Sequence, residues 1–274
     1  MHNMNEIIEK IKEKATKAGY PDASVEVREI NKSNKTKTGL ILRLQPEDKI
    51  CPTIYPEEIE PAALDNIIDN LIQTAVDAQN AISIEEIQTP PDFTKLIPCL
   101  VNKTRNPWVK ELPHRTIADL YLYYRLRVAP MATVAVHTEL MNAWNLEEND
   151  LFHIALNNLH PHIDTLNGMI TKILGANAGE ESVPVHVVHN TEPYGAACIL
   201  HPDVIDNLFG VYNDDLLILP SSIHEILVTG LTDSNLTDVA NMVKDINRTV
   251  VTSEDFLSDN VYIVRRNHPV LVTA

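Results

Sequence analysis

Glycine is scarce in this 274-residue chain: eight residues, about 3% where roughly 7% is usual. They stand at 19, 39, 168, 175, 179, 195, 210 and 230, so no two have the G-x-G spacing of a dinucleotide-binding turn. None opens a G-x-x-x-x-G-K-[ST] phosphate loop either, which excludes the commonest nucleotide-binding architectures. Cysteine is sparse too. Cys51, Cys99 and Cys198 are odd in number and far apart, with no C-x-x-C, which argues against a disulfide scaffold or a zinc knuckle and for a reducing compartment. No apolar run approaches the ~20 residues that cross a bilayer. The opening Met1–Glu6 shows no cationic region followed by an apolar one. A cytoplasmic protein without a membrane partner is the expectation.

Basic residues are outnumbered, 22 against 38 acidic ones, for a net charge of −16. Duplex DNA is therefore not an expected partner, because phosphate binding needs clustered Lys and Arg. The imbalance is uneven. Residues 1–50 hold ten basic and eight acidic groups, whereas the window 128–243 holds one base, Lys172, against fifteen carboxylates, a local net of −14. Eight of the eleven histidines lie in that window. Such a stretch suits a basic partner or a divalent cation; the plainer account is a solvated surface that keeps the protein in solution.

What is present is a core: 44% of residues are hydrophobic. Ile7, Ile8, Ile11 and Ala15 repeat at helical spacing, with Gly19 where a helix stop belongs. Ser24–Ile30, Gly39–Leu44 and Ile50–Tyr55 read as strands separated by polar turns. Pro61 then starts a helix with the stripe Leu64, Ile67, Ile68, Leu71, Ile72, Ala75 and Val76. Beyond Thr89-Pro90-Pro91, Leu96–Asn102 reads as a strand and a polar loop follows. Asp119–Val128 alternates strongly, with Tyr121, Tyr123, Arg125 and Arg127 on one side, and Ala132–Thr138 is its expected hairpin partner.

Leu146–Leu159, Pro202–Phe209 and Leu236–Ile246 read as helices. Val185–Val188, Ala196–Leu200, Leu216–Leu219, Glu225–Val228, Val261–Arg265 and Val270–Val272 read as strands. The expected class is α+β: a small helix/three-strand/helix unit over 1–90, and a larger mixed α/β body over 91–274 with the order strand–strand–helix recurring three times.

Six stretches carry a resemblance: Ile50–Tyr55, Asn102–Asn106, Leu112–Arg115, Tyr194–Ala197, Leu217–Glu225 and Leu257–Tyr262. Together they resemble an uncharacterised bacterial family, the domain of unknown function 5688, over nearly the whole length. Leu219-Pro220-Ser221-Ser222-Ile223-His224-Glu225 is the most specific part. No activity comes with that family, so none is transferred and the cofactor is left unknown; the resemblance points towards an accessory or mobile-element protein, such as one carried by a phage, rather than a central metabolic enzyme.

Three constellations could carry chemistry. Ser222, His224 and Glu225 form the first, a hydrolase-like set, but position 228 is Val, so no H-E-x-x-H exists, and no G-x-S-x-G turn exposes the serine. The plainer account is a strand bend whose serines satisfy backbone groups. The second is the local gathering of positive charge after residue 102. Asn102, Arg105, His114 and Arg115, with Tyr121 and Tyr123, suit a small anionic ligand such as a nucleotide; the plainer account is a wet strand face. Third, the histidines: His186 and His189 should face opposite sides of a strand, and only His160 and His162, with Asp164, could converge. No spacing makes a metal site. Asn190, Glu192, Tyr194 and Gly195 read as a turn, with Gly195 expected to supply its unusual backbone angle.

The leading expectation is a non-enzymatic intracellular binding protein presenting an acidic surface to a basic protein partner. The alternative is a hydrolase-type enzyme or a small-anion binder built from the residues just named.

Overall fold

The helical spacing of Ile7, Ile11 and Ala15 produces α1, Met4–Lys17, with all three residues buried. Asn3 caps it, accepting from the Asn5 N–H at 3.2 Å, and Glu6 closes a capping box. Gly19, at φ 98°, ends it, and the Tyr20 N–H returns to the Ala15 carbonyl at 3.0 Å. The computed structural model describes residues 3–48, 50–81, 90–129, 132–174, 184–231 and 236–274. Two compact units divide the chain, Met1–Pro91 and Asp92–Ala274.

In the first unit, β1 (Ser24–Lys32), β2 (Lys35–Arg43) and β3 (Thr53–Ile54) form an antiparallel sheet in that order. Lys32 pairs with Lys35, so Ser33 and Asn34 make a two-residue turn, and Asn34, its second residue, takes φ 63°, a left-handed conformation that asparagine tolerates. The third expected strand shrinks to two residues. Pro52 just before it has no N–H for the ladder, and its carbonyl accepts from Leu42 instead. Leu40, Leu42 and Ile54 share the face that packs on α1 and on α2, Leu64–Ala81. The apolar stripe of α2 enters the core as its spacing requires, through Leu64, Ile68, Leu71, Ile72 and Ala75.

In the second unit, β4 (Leu96–Asn102) lies along one edge of β6 (Leu120–Ala129). β5 (His114–Ile117) and β7 (Ala132–Ala135) share its other edge, one after the other. Helices α3 (Thr138–Ala143) and α4 (Glu148–Asn157) follow. Tyr124 and Leu126 pack with Trp144, Leu151 and Ala155 on one face of this sheet. On the other face Tyr121 and Tyr123 are only 2% and 1% exposed, so the wet face suggested by strand alternation is instead a second packed interface.

The remainder runs β8 (Pro161–Thr165), α5 (Leu166–Leu174), β9 (His186–Asn190), a 3-10 helix Gly195–Leu200, α6 (Pro202–Tyr212), β10 (Leu216–Pro220), β11 (Glu225–Gly230), α7 (Leu236–Thr249), β12 (Tyr262–Arg265) and β13 (His268–Thr273). Six strands make one antiparallel sheet, in the order β13-β12-β10-β11-β9-β8. Every residue of β10 is buried: Leu216 and Ile218 join the larger core, while Leu217 and Leu219 meet Val239 and Val243 of α7.

The fold is α+β, with two corrections of detail. Ala196–Leu200 is a 3-10 helix rather than a strand, so the strand–strand–helix order breaks at its middle repeat. Thr138 begins α3 instead of ending a strand. Part of the loose stretch after Gly175 lies outside the described residues.

Candidate functional site

Ser221, Ser222 and His224 sit in the four-residue connection between β10 and β11, and Glu225 opens β11. This connection is held from within. The Ser222 N–H donates to the Glu225 carbonyl at 3.2 Å, Ser221 Oγ to Glu225 Oε1 at 3.0 Å, and the His224 N–H to Ser222 Oγ at 3.0 Å. Two partners come from elsewhere in the chain. The Tyr194 N–H donates to His224 Nδ1 at 3.2 Å, and His224 Nε2 lies 3.3 Å from Asp255 Oδ1. A backbone N–H can only donate, so Nδ1 is the acceptor, and in the neutral ring Nε2 bears the proton and points it at Asp255.

Both ring nitrogens are thus committed, and neither meets Ser222. A serine nucleophile needs a base within hydrogen-bond reach of its own Oγ; here Oγ instead receives the histidine's backbone proton. The geometry is that of a pinned turn.

Gly195 explains why this turn and the Tyr194–Ala197 stretch belong together. A Cβ at Gly195 would lie 2.4 Å from the His224 carbonyl oxygen and 2.5 Å from the Asn190 nitrogen, both backbone atoms. The expectation that Gly195 supplies the unusual angle is corrected: Tyr194 takes φ 68°, and glycine is needed next to it for close approach of two backbones. Asp255 was missed because no local pattern links it to His224.

The second set does not assemble into one clamp. Arg115 pairs opposite Leu122, which places it on the face of the sheet away from Tyr121 and Tyr123. There its Nε donates to Glu148 at 2.8 and 3.0 Å, its Nη2 to Asn149 at 2.8 Å, and its guanidinium lies 3.6 Å over the Phe152 ring. Tyr124 donates to the same Glu148; burial, then that carboxylate, pushes its phenol pKa well above the ordinary range. Arg105 stacks 3.6 Å over Phe256. His114 Nδ1 meets the Leu112 carbonyl at 2.7 Å, and its ring stands edge-on to Tyr121 at 4.9 Å. His114, Tyr121 and Tyr123 come together; Arg105 and Arg115 are each held by other partners.

Asn102 is structural in a specific way. Its Oδ1 accepts from the Thr104 and Arg105 N–H groups at 3.0 and 3.1 Å, shaping the turn after β4, and its Nδ2 donates to the Leu257 carbonyl at 3.0 Å. Next to it Asp119 receives Ser258 Oγ and the Tyr262 hydroxyl, each at 2.7 Å. Ser258 and Tyr262 are wholly buried. Asn247 of α7 donates to the Ser258 carbonyl at 2.8 Å. This polar network ties the β5–β6 turn to the segment leading into β12, and sequence spacing gave no sign of Asp119.

His189 bonds Asp164 at 3.1 Å and stacks on His162, with centroids 5.4 Å apart, while His186 meets the Tyr212 hydroxyl at 2.6 Å. Among the described residues no group of three or more His, Cys, Asp or Glu is placed to hold a metal ion. Likewise no helix among them is long and apolar enough to cross a membrane.

No match to this chain is found among curated proteins or among solved structures. A family model does match, over residues 4–266. The stretches that form the pinned turn and the Asp119 network all lie within that span, and the chain belongs to the Family of unknown function (DUF5688).

Proposed function

We propose that this chain is an accessory binding protein whose second unit presents an acidic surface to a basic protein partner. The carrying observation is the state of the carboxylates between residues 128 and 243. Glu139, Glu147, Asp150, Asp203, Asp206, Asp214 and Asp238 are all exposed, and none is bridged to a Lys or Arg side chain among the described residues. Only Glu148, Glu192 and Asp215 of that window have an arginine partner there. Exposed charges of one sign repel each other and attract a cationic surface, raising association rates and penalising acidic competitors.

Two further observations support a binding role. The polar atoms of Ser222 and His224 are committed to holding a turn, and the three thiols Cys51, Cys99 and Cys198 are unpaired, which suits a reducing cytoplasm. A phage or mobile-element origin is part of the same proposal and rests on the family resemblance alone.

The test is capture of host proteins on the immobilised chain at ionic strengths from about 0.05 to about 0.5 M, across which the screening length falls severalfold. The proposal expects basic proteins to be retained at the low end and released at the high end. It expects less retention by a chain with Glu139, Glu147 and Asp150 changed to their amides. Retention that ignores both salt and those substitutions refutes it.

A further inference from the structure

Arg127 ends on Glu192 at 2.6 Å, and Arg115 and Arg265 also reach carboxylates. Arg125, two residues before Arg127 on the same face of β6, does not. Its Nε donates to Thr133 Oγ1 at 2.7 Å, its Nη2 to the Thr133 carbonyl at 3.1 Å, and its Nη1 to the Tyr123 hydroxyl at 3.4 Å. All three acceptors are neutral, and no carboxylate pairs with Arg125 among the described residues. The side chain is half-buried, with Cys99 and Tyr194 within electrostatic reach.

A cation withdrawn from water needs a counter-charge, and guanidinium needs five acceptors to fill its N–H groups. Three are used here. This chain has 38 carboxylates, so a partner for Arg125 is not withheld by composition.

A second donor without an acceptor lies close by. Trp108 stands edge-on to Tyr123 with ring centroids 5.3 Å apart, and its indole Nε1 is buried without a hydrogen-bond partner. An indole N–H can only donate. One tyrosine therefore has a cation without a counter-charge at its hydroxyl and a tryptophan with an unmatched N–H beside its ring. The Thr133 hydroxyl accepts from Arg125 and keeps its own proton to give, while the Tyr123 hydroxyl accepts from Arg125 and bonds the Cys99 thiol. Around Arg125 the acceptors among the described residues are neutral; what the place lacks is a negatively charged one.

We propose that Arg125 anchors a binding site for a small oxyanion, a phosphate or carboxylate group, with the Thr133 hydroxyl and the Trp108 N–H as its neutral donors. Planar guanidinium suits either group through two parallel bonds. Half-burial limits the occupant to a free ion or the terminal group of a small molecule. The site does not depend on the acidic-surface proposal, since it uses none of those carboxylates.

Trp108 supplies the reporter. The chain has two tryptophans, and Trp144→Phe leaves Trp108 as the only indole. Inorganic phosphate and acetate are titrated separately against chloride at constant ionic strength while emission is followed. The expected result is a saturable change with at least one of them. It should weaken by about tenfold or more in Arg125→Gln, and also in Arg125→Lys, which keeps the charge but loses the fork. The lysine variant carries the comparison if the glutamine variant does not fold. A response to phosphate alone assigns a phosphate group, and a response to acetate alone a carboxylate. No saturable response to either anion, or an equal response in the Arg125 variants, overturns the proposal.

Discussion

Replacing Asp119 by alanine tests the polar network at the centre of the second unit. The carboxylate accepts from Ser258 Oγ and the Tyr262 hydroxyl, each at 2.7 Å, and both donors are 0% exposed. Hydrogen bonds to a charged group contribute about 1.5–3 kcal/mol each, and a buried hydroxyl left without a partner is worse than one never placed there. Neither hydroxyl can turn to bulk water, so Asp119→Ala should cost about 3–5 kcal/mol.

Asp119→Asn keeps one acceptor oxygen but sets an N–H group against one of the hydroxyls, for an expected loss of about 1–2 kcal/mol. Adding Tyr262→Phe to the alanine variant removes one orphaned hydroxyl and should recover about 1 kcal/mol or more, a coupling that a double-mutant cycle reads directly. Urea unfolding followed by tryptophan emission is the assay, because Trp108 and Trp144 both lie in the second unit. A loss below about 1 kcal/mol for Asp119→Ala at unchanged m-value, or strict additivity in the cycle, would refute the reasoning.

Gly195→Ala drives a Cβ to 2.4 Å from the His224 carbonyl oxygen; since backbone cannot swing aside, a loss of about 3 kcal/mol or more is expected in the urea midpoint. His224→Ala removes the acceptor for the Tyr194 N–H and the contact with Asp255, so the melting temperature should fall by the equivalent of about 1–2 kcal/mol; an unchanged melting point would contradict the pinned turn. Burial pushes the Cys99 and Cys198 thiols from 9.0 up to about 12. The unfolded chain therefore releases these protons first: stability is intact below pH 9 and falls between pH 9 and 12, by about 1.4 kcal/mol per thiol per pH unit. A Cys99→Ala/Cys198→Ala chain should lose less over that window, and an equal loss would show that the thiols are not responsible. Cys51 is partly exposed and should react with a thiol reagent in the native protein, with Cys99 and Cys198 reacting only on unfolding.

Elements whose own residues decide their structure were legible in the sequence. The stripe of α2, the stop at Gly19 and the strand Leu96–Asn102 each follow from local spacing or a single glycine. Ala196–Leu200 misleads because a short apolar run has no period of its own; all of it but Leu200 is buried, and burial of this kind suits a 3-10 helix as well as a strand. β5, at four residues, is too short to show alternation and owes its place to β6.

The candidate site was less legible. Ser222 and His224 were found as a pair, but their bonding depends on Tyr194 and Asp255, which are distant in sequence. Arg125 and Arg127 look equivalent on one strand face, and only the fold gives a glutamate to one and, among the described residues, not to the other.

The Asp119 network also orders events in time. Its hydrogen bonds join residues 139 and 143 positions apart, and β12 must enter between β10 and β13 to complete the larger sheet. A ribosome delivers Asp119 long before Ser258 or Tyr262, so during synthesis the nascent second unit waits with an unfinished interior, while the N-terminal helices and hairpin can already close on themselves.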